Sequence, residues 1–126
     1  MSTWNELMAD PPTAGPARAL WMQHVAGHIL MEDVRRLGLE AAETGADANT
    51  AVDAAVYGLM QVADGVTGAM KNERWQVQVC VAVQLVDRQN GEIVESLDLF
   101  DGDGACMGFH SWIDGDFGES PVTTSN

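Results

Sequence analysis

From Trp75 to Leu85 the chain alternates, with Trp75, Val77, Val79, Val81, Val83 and Leu85 at the odd positions and Gln76, Gln78, Cys80, Ala82 and Gln84 between them. Successive side chains of a strand point to opposite faces, so this period of two predicts a β-strand with its odd side chains in a core and an uncharged reverse face. The rest of the fold has to be arranged around that segment. Asn90-Gly91 is a hairpin signal, and Ile93, Leu97 and Leu99 form the expected returning strand. Beyond the turn at Asp101-Gly102-Asp103-Gly104, Met107, Phe109 and Ile113 alternate with Gly108, His110 and Trp112, which predicts a third strand from Cys106 to Ile113.

Upstream, the period changes to that of a helix. Pro16 fits a first helical turn, where its missing N–H costs nothing, and a helix is expected from about Ala17 to Glu43. Gly45 is the expected terminator, and Asp47 or Asn49 the cap of a second helix reaching Met70. Val52, Val56, Leu59, Ala63, Val66 and Met70 make one apolar stripe along it, to be packed on the sheet. The other side carries Ala54, Gly58, Gly65 and Gly68. Each helical glycine costs about 1 kcal/mol relative to alanine, so either another backbone approaches closely there or the helix end is flexible.

The fold class expected is therefore α+β: two N-terminal helices on one face of a C-terminal three-stranded antiparallel β-meander, in two layers. A chain of 126 residues suits a single domain spanning 1–126, with 1–16 and 119–126 as weakly ordered ends.

The first helix is apolar on two sides. Leu20, Gly27, Leu30, Met31, Val34, Leu37 and Ala41 share one face, and Trp21, Val25 and Ile29 form a second stripe. A homodimer would cover that second stripe; the alternative is that the N-terminal tail, with Trp4, Leu7 and Met8, folds back over it.

Nineteen acidic residues against six basic ones give a net charge of −13. Such a chain repels phosphate backbones and anionic membranes, which disfavours direct nucleic-acid or membrane binding; the charge serves either solubility or a basic partner protein. No apolar run is long enough to span a bilayer, and the N-terminus, with Glu6 and Asp10, does not resemble a signal peptide, so a cytoplasmic location is expected. Cys80 and Cys106 accordingly read as buried free thiols of a reducing compartment.

Two groups of side chains could carry chemistry. His24, His28 and Glu32 are spaced i, i+4 and i+8 on the first helix, a geometry that could converge on a divalent metal with His110 as a donor from elsewhere; as plain structure, the two helical histidines would be packed or interfacial imidazoles. Asp98, Asp101, Asp103, Asp114, Asp116 and Glu119 fall in two loops. Their Asp-Gly-Asp-Gly opening resembles a calcium loop but lacks its closing Glu, so they read as solvated turns. His110 with Asp114 or Asp98 could form an acid/base pair, with no geometry specified. Phosphate-cradling glycine loops, paired Cys-x-x-Cys thiols and nucleophile elbows are missing from the sequence.

The reading that follows is a non-enzymatic, acidic, homodimeric interaction module without a cofactor. It would pair with itself through the Trp21, Val25, Ile29 stripe and bind another protein, such as a basic one, through its acidic loops or its outer sheet face, where Gln76, Gln78 and Trp112 are the expected contacts. The alternative is a metal-binding protein or metal-dependent or acid/base enzyme built on His24, His28, Glu32 and His110.

Overall fold

The computed structural model of the chain describes residues 3–101, 104–118 and 121, and its class is α+β. Pro16 opens α1, Gly15–Leu30, as expected. The helix then runs without interruption through five residues in π geometry, Met31–Arg35, into α2, Arg36–Glu43. Gly45, at φ +93°, supplies the left-handed residue that stops it. The Asp47 side chain accepts the Thr50 N–H at 2.8 Å and so caps α3, Ala48–Ala63.

The second helix is shorter than its apolar stripe. Gly65 and Gly68 take φ values of +74° and +83°, which no helix interior contains, so the chain leaves α3 at Ala63 and Ala69–Lys71 becomes β1. Gly58, by contrast, is a close approach of the kind the sequence allowed for. A Cβ there would stand 2.7 Å from Leu37 Cδ1 and 2.8 Å from the Asp33 carbonyl oxygen, because α3 lies directly on the π turn.

The expected meander is replaced by two separate two-stranded antiparallel sheets. β1 pairs with β2, Gln76–Gln78, with Met70 opposite Val77. β3, Ala82–Val86, pairs with β4, Ile93–Asp98, with Val83 opposite Leu97 and Leu85 opposite Glu95. The alternating segment is thus divided. Val79 donates its N–H to Gly68 at 3.2 Å, on the first sheet, whereas the Val81 carbonyl accepts from Leu99 at 2.9 Å, on the second. The hairpin turn falls where Asn90-Gly91 placed it, with Gly91 donating to Asp87 at 2.8 Å and φ +76°.

The third strand is a helix. Residues Ala105–Trp112 form α4, and apolar Ala105, Phe109 and Trp112 fit a helical stripe as well as the alternation fits a strand. The decision is made from outside the segment: the Asp64 carboxylate, at the end of α3, accepts the N–H groups of Ala105 at 2.6 Å and Cys106 at 2.8 Å, satisfying two donors that a helix start leaves unpaired. The Tyr57 and Phe109 rings then meet edge to face at 5.1 Å.

The core gathers Met8, Val25, Ile29 and Met70, with Trp21, Trp75, Val77 and Val79 packed against it. The N-terminal segment is therefore built into the fold; Leu7 bridges Lys71, and Thr3 is fully buried. Beneath it the Asp33 carboxylate, 4% exposed, accepts the Thr3 N–H at 2.9 Å, the Thr3 hydroxyl at 2.6 Å and the Gly68 N–H at 3.0 Å. These bonds replace the water that a buried carboxylate loses.

Candidate functional site

The helical residues expected to bind metal do not converge. His28 donates through Nε2 to Glu6 at 2.8 Å, and Glu32 receives Arg36 Nε at 2.6 Å and Nη2 at 3.1 Å, which holds its carboxyl below the ordinary value. His24 is exposed, while His110 sits on α4 with its ring 5.8 Å from that of Tyr57. Among the described residues no three His, Cys, Asp or Glu side chains are grouped so as to hold a metal ion. His28 and Glu32 each have a nearer charged partner instead, Glu6 from the N-terminal segment and Arg36 one turn on. Of the acidic loop residues, Asp103 and Glu119 lie outside the described part, as does the side chain of Trp4. Asp101 accepts the Asp98 N–H at 3.0 Å and Asp116 the Gly118 N–H at 2.9 Å, as turn residues do.

A second group, which sequence reasoning did not assemble, is Tyr57, Asp64 and Cys106. Burial and the hydrogen-bonded Asp64 carboxylate push the Cys106 thiol up, and the Tyr57 hydroxyl only partly opposes them. The contact with Cys106 in turn raises the Tyr57 phenol. A nucleophilic cysteine needs the opposite shift, toward thiolate at neutral pH. The arrangement is a helix cap with a part-buried thiol beside it. Cys80, expected to be buried, is exposed where the chain passes from one sheet to the other.

The expected partner-binding residues separate into three places. Val25 and Ile29 are interior, Ile29 with no exposure at all, packed with Met8 of the N-terminal segment and Met70 of β1, so cover expected from a second copy comes from within the chain. Trp112 lies on α4 with its ring over Gly108, where a Cβ would collide with it. Trp21, Gln76 and Gln78, however, do meet. With Arg18, Met22 and Trp75 they line a cleft of about 410 Å³ between α1 and β2, within the usual range for small-molecule sites. Arg18 enters it from the first turn of α1, its Nε donating to the Pro12 carbonyl at 2.9 Å. The guanidinium carbons of Arg18 and Arg74 stand 5.8 and 4.6 Å from the centre of the Trp75 ring, in cation–π range.

The other exceptional surface is the β3–β4 hairpin. All residues of both strands are exposed, including Val83, Leu85 and Leu97 on one face and Val86, Ile93 and Val94 around the register shift.

No known protein family, curated protein or solved structure matches this chain. The geometry alone therefore carries the functional reading. Arg18 and Trp75 were missed as cleft residues because the alternation assigns Trp75 to the core; its half-burial is real, but its ring also lines the cleft and has the guanidinium groups of Arg18 and, outside the cleft, Arg74 over it.

Proposed function

We propose that the protein is a non-enzymatic interaction module that self-associates through the β3–β4 hairpin. The observation that carries this is the exposure of both hairpin faces, with Leu85 and Val94 each 63% open to solvent. A lone two-stranded hairpin is marginal in water, and its unpaired edges and aliphatic side chains invite a third strand. A second copy brings an identical hairpin, so pairing by a two-fold axis satisfies the same edge and the same apolar face on both partners at once. Free thiols at Cys80 and Cys106 fit a reducing compartment such as the cytoplasm.

A basic partner protein is the competing occupant, given the charge of −13, and the two respond oppositely to salt. Association of like-charged copies strengthens as salt screens their repulsion, whereas docking of a basic protein weakens. Sedimentation equilibrium of the purified chain at low and high salt is the test. The expected result is a monomer–dimer equilibrium that shifts toward dimer with salt and is abolished by Leu85→Glu. A species that stays monomeric at millimolar concentration and high salt sinks the reading.

A further inference from the structure

The cleft between α1 and β2 has a chemistry unlike the rest of the molecule. Nineteen acidic residues are spread along 126, yet among the described residues none lines it; the only charged side chain among those at its wall is Arg18, and the remainder is indole, thioether, aliphatic and carboxamide. Arg18 is anchored at Nε by the Pro12 carbonyl, which fixes the stem while leaving the terminal nitrogens without a carboxylate partner among the described residues. Arg74, beside the same Trp75 ring, likewise has no carboxylate partner among them. In a chain with a threefold excess of acids, a guanidinium with no carboxylate partner among the described residues makes the cleft wall at Arg18 locally positive, while Arg74 sits outside the cleft, in a depression it shares with Asp10 and Glu73. A planar guanidinium pairs best with a planar oxyanion, and indole faces favour a flat apolar ring.

We propose that this cleft binds a small aromatic carboxylate, with its ring against Trp21 and Trp75 and its anion on Arg18. Gln76 and Gln78, exposed at the rim and joined by a 3.3 Å hydrogen bond between their side chains, supply amide donors and acceptors for further polar groups of the ligand. The site lies on the first sheet and the hairpin on the second, so ligand binding and self-association are separable.

The probe is 2-naphthylacetate, compared with its neutral analogue 2-(2-naphthyl)ethanol, by titration calorimetry and by the indole N–H resonances of the full chain. The carboxylate is expected to bind at one site about tenfold more tightly than the alcohol, as a charge-assisted pair requires, and to shift the Trp21 and Trp75 resonances. Arg18→Gln should reduce the preference to under about twofold while leaving alcohol binding in place. Equal affinity for acid and alcohol in the natural chain overturns the proposal without recourse to any variant. So does a lack of saturable binding, or resonance shifts confined to the hairpin and α4.

Discussion

Asp33 holds Thr3 twice, taking its backbone N–H at 2.9 Å and its hydroxyl at 2.6 Å, thirty positions apart in sequence. The same carboxylate takes the Gly68 N–H, so one side chain in the π turn fastens the N-terminus and the entry to β1. Removing it strands three buried donors. Asp33→Ala should cost about 2–4 kcal/mol in urea denaturation, and Thr3→Ala, which spares the backbone bond, about 1 kcal/mol. Equal losses for the two would mean that the carboxylate matters only through the Thr3 hydroxyl.

Two helical glycines should respond with opposite signs to the same substitution. Gly58→Ala drives a methyl into Leu37 and the Asp33 carbonyl and should destabilise by about 1–3 kcal/mol. Gly27, inside α1 with open space around it, should gain up to about 1 kcal/mol on conversion to alanine. Thermal unfolding of the pair decides whether close packing at the π turn, rather than helix propensity, sets the requirement for glycine.

Thiol chemistry should discriminate between the two cysteines. A neutral-pH maleimide should label exposed Cys80 promptly and Cys106 slowly, because Cys106 is part-buried and held as thiol by Asp64. Asp64→Asn removes that charge and should quicken Cys106 labelling, followed by mass spectrometry. Unchanged slow labelling would leave burial as the sole cause.

Burial works to raise the Asp64 carboxyl, but the N–H groups of Cys106 and Ala105 prevail and hold it below its ordinary value. A carboxyl depressed in the folded state lends stability above its unfolded pKa of about 3.9, and that contribution disappears as pH falls through the folded value. Docking of α4 should accordingly weaken in acid, read from the Tyr57 and Phe109 ring resonances between pH 6 and about 3. The Asp64→Asn protein should lack this transition.

Much of the α layer was legible in sequence because its signals are local: Pro16, Gly45 and Asp47 each act within a turn of their own position. The sheet was less so. The alternation from Trp75 to Leu85 correctly separates half-covered Trp75, Val77 and Val79 from exposed Gln76, Gln78 and Cys80, but it carries no mark of the change of sheet, which depends on distant Gly68 and Leu99. Residues 105–112 fit both periods, and Asp64, forty-one positions upstream of Ala105, selects the helix. The cleft was half visible, since Trp21, Gln76 and Gln78 stand out in sequence while the placement of Arg18 beside Trp75 exists only in three dimensions.

The division of the strand between Val79 and Val81 has an energetic meaning. The first sheet is tied to the core by Met70, Val77 and the Asn72 carboxamide, whereas among the described residues the second contributes no side chain to that core. Opening the second therefore exposes little that was not already wet, and its amides should exchange with deuterium far faster than those of β1 and β2. The arm is a low-cost cooperative unit hung on a firm body, so a partner that orders it spends its binding energy on seventeen residues, from Ala82 to Asp98, without disturbing the rest.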